Sequence, residues 1–180
     1  KFFIQRPKAE KLNTVNASEF GLAEENADNF SAFQSALNYC ALNPQTKLVI
    51  DKGTYYFESI NGLDANNCTD LLIEGNDATF VFSSTDYRFF IRNSDCVEIR
   101  NLNIDWNWKK SPLASVVTVQ NSNADTNTLD LVFKDAEYCD ENCRLMAITQ
   151  CDPETYTFGA KYSSKEVYLY QDETNIKSVQ

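Results

Sequence analysis

The chain has no histidine among its 180 residues. This removes the usual neutral-pH base, the Ser-His and Cys-His nucleophile pairs and the commonest zinc ligand. Acid–base chemistry would fall to carboxylates, Tyr, Lys or Arg. No apolar run is long enough to cross a bilayer as a helix. Basic residues are outnumbered, 16 Lys and Arg against 26 Asp and Glu, giving a formal charge of −10 and a sequence pI near 4.5. Such a surface repels phosphates, so nucleic acid is not an expected partner. It also binds anionic membranes poorly. No dense carboxylate loop with calcium-loop spacing occurs, and no metal or other cofactor is expected. The chain starts at Lys1 without a signal peptide, as a chain with its leader removed or an excised piece would.

What remains is enough for a folded domain. Hydrophobic residues make up 43%, with 12 Phe and 9 Tyr, unlike a disordered chain. The six cysteines are Cys40, Cys68, Cys96, Cys139, Cys143 and Cys151, and their spacing does not match paired zinc knuckles. Cys139 and Cys143 are close enough in sequence for a small disulfide loop, with Cys151 as a competing partner. Cys40, Cys68 and Cys96 read as small buried apolar residues.

A short extended segment is expected around Thr14–Phe20, followed by one helix. Asp28 is the expected N-cap. Phe30, Phe33, Leu37 and Cys40 recur at helical spacing and form a core face. Asn43-Pro44 ends the helix. From Lys47 onward short strands follow one another: 48–50, 54–57, 71–73, 78–82, 89–91, 97–99 and 102–104. They are rich in β-branched and aromatic residues, with Asn, Asp, Gly and Ser between them. No second helix interrupts them, which argues against a doubly wound α/β sheet.

Two segments echo each other. Asp70-Leu71-Leu72-Ile73-Glu74-Gly75 matches Cys96-Val97-Glu98-Ile99-Arg100-Asn101 at a spacing of 26, and each leads into a second strand. That period suits a solenoid in which Leu71 stacks on Val97 and Ile73 on Ile99. A chance match between two Asn-rich β segments is the alternative. A solenoid's open end needs a cover, and the single helix before the first coil would supply it.

In these features the chain resembles the pectin-lyase-like superfamily of right-handed parallel β-helix proteins. The carriers are Phe20-Gly21-Leu22, then Asp28-Asn29-Phe30-Ser31-Ala32-Phe33-Gln34-Ser35-Ala36-Leu37, then Ile50-Asp51-Lys52-Gly53-Thr54-Tyr55. Leu22 replaces the usual Ala, and Asp51 stands where Pro is common. Asn101-Leu102-Asn103-Ile104-Asp105-Trp106, with Ser111-Pro112-Leu113-Ala114 after it, is similar to the N-terminal region of secreted β-helical glycosidases, the α-1,3-galactosidases among them. The resemblance implies a mainly β fold: a capping α-helix and the first β-helix coils over residues 1–115, then a β-rich insertion over 116–180. It also implies that the chain is a fragment of a longer secreted, cell-surface or periplasmic protein, inactive alone because the catalytic carboxylates of such proteins tend to lie in later coils.

For function, the richest patch is Asp105-Trp106-Asn107-Trp108-Lys109-Lys110, which holds both tryptophans. In an extended segment the two indoles would share a face. Trp106, Trp108 and Lys109 are candidate contacts for a sugar ring, whose C–H faces are apolar and edges polar. The structural alternative is that one Trp lines the junction between coils and insertion. Asp105 is the catalytic candidate, against an ordinary turn-capping Asp. A glycosidase needs two carboxyl groups roughly 5–10 Å apart, and Asp51, Glu74, Asp77, Asp86 and Asp105 offer no distinguished pair. The acidic surface favours a neutral glycan over a polyuronate. A glycoside hydrolase region is the expected function. A glycan-binding or adhesion module and a structural β-solenoid are the alternatives. Asn16, Asn29 and Asn67 head glycosylation sequons.

Overall fold

The computed structural model describes residues 5–8, 11–59, 61–83, 89–111, 113–126, 128–134, 147–158 and 167–168. The chain divides into two compact units, Lys1–Ser111 and Pro112–Gln180.

In the first unit, strand β1 (Asn13–Asn16) runs into a single 3-10 turn (Ala17–Phe20), then helix α1 (Phe30–Leu42). Strands β2 (Thr46–Val49), β3 (Thr54–Phe57), β4 (Leu63–Asn66), β5 (Thr69–Phe82), β6 (Phe89–Arg92) and β7 (Asp95–Trp106) follow. The extended segment expected over 14–20 therefore stops at Asn16. Glu19 accepts the Asn16 N–H at 2.8 Å and turns the chain. The expected strand pairs 71–73 with 78–82 and 97–99 with 102–104 prove to be the two halves of β5 and β7.

Among the described residues, every strand pairing in this unit is parallel. β2 and β3 pair with successive halves of β5 at an offset of 25, Leu48 with Ile73 and Phe57 with Phe82. The first half of β5 pairs with β7 at 26, Leu71 with Val97 and Ile73 with Ile99, as the echo predicts, and the second half at 24, Phe80 with Ile104 and Phe82 with Trp106. β4 pairs with β6 from Leu63↔Phe89. One inward row thus runs Val15, Leu48, Ile73, Ile99, and another Phe57, Phe82, Trp106. Strand sides alternate, so residues in register stack on the same face in each layer.

The core is aromatic. Phe80 lies 4.6 Å from Phe57 and 4.9 Å from Phe33 between ring centroids, the latter edge-on. Phe33 brings α1 into this cluster, with Ala36, Leu37 and Cys40 buried beside it. Burial pushes the Cys40 thiol up to about 12, so it stays neutral core. Cys68 is buried too, while Cys96 is only partly covered. Cys139 and Cys143 lie outside the described residues, and Cys151 has a free thiol.

The first layer of strands has its outer edges answered one by one. β1 pairs along β2. For β3, Glu24 accepts the Thr54 N–H at 2.9 Å and Asn29 donates its N–H to the Tyr56 carbonyl at 2.9 Å. For β4, the Gln34 side chain takes the Asp64 N–H at 2.9 Å and donates to its carbonyl at 3.0 Å, standing in for a strand. Asp28 is not the N-cap. That position is Asn29, while Asp28 accepts the N–H groups of Phe30 and Glu58 at 3.0 and 3.2 Å. Asn29 is fully buried, so this sequon cannot accept a glycan in the folded chain.

The turns repeat as well. Gln45 just before β2, and Asp70 and Cys96 as the second residues of β5 and β7, all adopt left-handed backbone, as do Asn67 and Asn93 in the turns before β5 and β7. Midway along β5, the register shifts between Glu74 and Ala78, where residues 75–77 face Asn101. There the Glu74 carboxylate, nearly buried, receives Arg100 at 2.6 Å and Asn101 at 2.7 Å. Burial pushes this carboxyl up, but the hydrogen bonds from Asn101 and Arg100, the Arg100 charge and a backbone N–H outweigh it and hold it below the ordinary value. A depressed folded pKa stabilises the fold above the unfolded value, about 4.3, and is lost as pH falls through the lower folded value. Urea unfolding between pH 3 and 6 should show stability falling with acid, and Glu74→Gln should flatten that limb. Equal slopes in the two proteins would remove Glu74 from the acid response.

In the second unit, β8 (Val117–Asn123) and β9 (Thr128–Phe133) form an antiparallel hairpin. β10 (Ala147–Ile148) pairs antiparallel with β11 (Val167–Tyr168). A single antiparallel bridge joins Cys151 with Phe158, around a turn in which Asp152 accepts the Glu154 and Thr155 N–H groups.

Candidate functional site

The candidate patch lies where β7 ends. Strand geometry stops at Trp106, and residues 108–110 form a turn. Asn107 starts it, accepting the Lys110 N–H on its side chain at 3.2 Å. The two tryptophans therefore do not share a strand face. Trp106 points inward as the third member of the row after Phe57 and Phe82, and its indole N–H donates to the Ser111 carbonyl. Trp108 stands out on the turn, 43% exposed. Asp105 faces outward, and its carboxylate accepts the Trp106 N–H at 2.7 Å. Lys109 is exposed beside Trp108.

Register brings in residues that sequence reading passed over. One step past the row Phe57, Phe82, Trp106 come Glu58, Ser83 and Asn107. The backbone continues the ladder, Ser83 N–H to Phe57 carbonyl at 3.1 Å and Asn107 N–H to Phe82 carbonyl at 2.8 Å. Lys110 reaches from the turn to pair with Glu58 at 2.5 Å, spanning two strand spacings, or about 10 Å of sheet. Ser83 lies in the layer between. It is 6% exposed, and its hydroxyl has no hydrogen-bond partner among the described residues. The only sequence signal for this trio is the offset itself, because Glu, Ser and Asn share no motif.

The turn thus carries an exposed indole, the Asn107 amide and the Lys110 ammonium with its Glu58 carboxylate, while the Ser83 hydroxyl lies buried in the layer between. An indole covers the apolar face of a sugar ring, and the polar groups can meet its hydroxyls. A hydrolytic pair is another matter. Glu58 is engaged by Lys110 and Asp105 by the backbone, and Glu74 is locked at mid-strand.

No protein-family model matches the chain. Among curated proteins, it is 26% identical over 174 residues to an alpha-1,3-galactosidase B of Bacteroides thetaiotaomicron, covering 79% of this chain and 28% of that protein. It is 27% identical over 154 residues to an alpha-1,3-galactosidase A of Shewanella woodyi, covering 74% and 25%. The chain spans about a quarter of the length of these relatives. These distant matches support a galactosidase-like relationship and a glycoside hydrolase-related region.

Proposed function

We propose that the chain is the N-terminal part of a secreted right-handed parallel β-helix protein that engages a neutral, galactose-containing glycan at the turn after β7. The observation that carries this reading is the exposed Trp108 in the turn whose Lys110 pairs with Glu58, at the end of three stacked strands. The names of the two relatives supply the sugar class. Repeating parallel offsets of 25 and 26 residues support the β-helix. So does the last row, where Ile104 is 64% exposed in register with buried Phe80: a further coil would cover it. On this reading the second unit is a β-rich insertion, and bond cleavage belongs to coils beyond this chain.

Isothermal titration with an oligosaccharide ending in α-1,3-linked galactose tests the site. Trp108→Ala should abolish measurable binding with little change in melting temperature. Trp106→Ala should cost about 2 kcal/mol or more of stability, because its indole packs on the core. Full binding by Trp108→Ala would overturn the site. Hydrolysis of the glycan by this chain alone would overturn the placement of the catalytic groups elsewhere.

A further inference from the structure

A second feature lies at the opposite end of the strand rows. A cavity of about 530 Å³ is lined by Gln5, Arg6, Lys8, Lys11, Leu12, Gln45, Asp70 and Cys96. Its floor is the column of left-handed residues Gln45, Asp70 and Cys96 that opens the three layers. Its rim is formed by Gln5, Arg6, Lys8, Lys11 and Leu12.

The charge here is inverted relative to the chain. The whole carries −10, yet this cavity gathers Arg6, Lys8 and Lys11 around one carboxylate, Asp70. Glu98 stands 3.9 Å from the Arg6 guanidinium, which is mostly exposed. Among the described residues, no carboxylate lies within ion-pair distance of Lys8 or Lys11. The remaining lining is neutral and polar apart from Leu12. The Cys96 thiol donates to the Gln5 side-chain oxygen at 3.5 Å, leaving the Gln5 NH₂ as a donor. Burial and the Asp95 and Asp70 carboxylates push this thiol up, so it stays protonated as the donor to that oxygen.

We infer that this cavity binds a single anionic sugar unit, one bearing a carboxylate or a sulfate. The volume lies in the range of small-molecule sites, roughly 300–1,000 Å³. A guanidinium matches an oxyanion in two-point geometry, and the lysines add point charges. The Gln5 and Gln45 amides suit hydroxyls, and Leu12 offers an apolar wall. An extended polyanion is disfavoured, because beyond the cavity it meets the acidic surface.

The test is isothermal titration of the 180-residue chain, at low salt, with galacturonate, galactose 6-sulfate, inorganic sulfate and galactose. At least one charged sugar should bind, more tightly than galactose or inorganic sulfate, and which one binds assigns the carboxylate or the sulfate. The Lys8→Glu, Lys11→Glu double variant should weaken that sugar about tenfold or more. Asp70→Asn should tighten it several-fold, since it removes the carboxylate in the cavity lining and Asn tolerates left-handed backbone. Because this is a gain, misfolding cannot imitate it. Failure of both charged sugars to bind, equal binding by inorganic sulfate, or indifference to these substitutions would overturn the inference. Trp108→Ala should leave the result unchanged, so the two sites stand or fall separately.

Discussion

Phe80→Ala should lower the stability of the chain by about 3–5 kcal/mol, the range for truncating a fully buried aromatic. Phe80 is the hub of the core. Phe57 and Phe33 lie within 4.9 Å of its centroid, and Tyr55 and Phe82 lie at 6.0 and 6.4 Å. These neighbours come from α1, β3 and β5, so no single element can close the gap by shifting alone. The loss combines transferred ring surface, an unfilled cavity and the edge-to-face contacts. Thermal unfolding should begin on the order of 10–20 °C lower for a unit of this size. A shift of only a degree or two would mean that the helix and the strand layers do not share one core. Phe33→Ala should behave similarly, because it removes the helix side of the same contacts.

Gly75→Ala should be nearly as damaging for a different reason. A methyl group there would lie 2.4 Å from the Asn101 carbonyl oxygen and 2.7 Å from the Leu102 Cα. Both are backbone atoms of the facing strand, and β7 cannot yield without breaking its ladder to β5. The position also sits inside the register shift that lets Glu74 face Arg100 while Ala78 faces Leu102. Overpacking of this kind costs about 1–3 kcal/mol, and more where only backbone can move. We expect about 3 kcal/mol by urea unfolding, accompanied by loss of the acid-sensitive Glu74 contribution, because the Arg100 and Asn101 bonds depend on the same register. Gly53→Ala is the control. Its nearest atoms belong to the Glu24 side chain, which can swing aside at the expense of one hydrogen bond to Thr54. If Gly75→Ala proved as mild as Gly53→Ala, β5 and β7 would not be in close register.

The middle of the stack was readable from the residues because Leu71, Ile73, Val97 and Ile99 all point inward at one offset. The earlier layers hid themselves. β1 pairs with β2 at an offset of 33, since the helix is inserted between them, and the β2 to β5 offset is 25. The left-handed column was also silent, as neither Gln45 nor Cys96 is a residue type that favours that backbone. Asp28 and Asn29 are equally good caps by type. Only the strand edge they serve separates them, and that edge is 27 residues away in sequence at Tyr56. In the candidate patch, the residues from Asp105 to Lys110 read as extended by composition, but they turn after Trp106. Asn107 breaks the strand, so Trp106 joins the core and Trp108 alone faces outward. Glu58 and Ser83 could be found only by register, which requires knowing that Phe57, Phe82 and Trp106 share a row.

The proposed glycan-binding role of the turn after β7 is best tested by amide and indole chemical-shift mapping while the neutral α-1,3-galactosyl oligosaccharide is titrated in. The predicted result is a compact set of shifts at the Trp108 indole N–H, Asn107, Lys110, Glu58 and Ser83, with the Trp106 indole little changed in its bond to Ser111. Shifts confined to other parts of the chain, or none at saturating sugar, would contradict it.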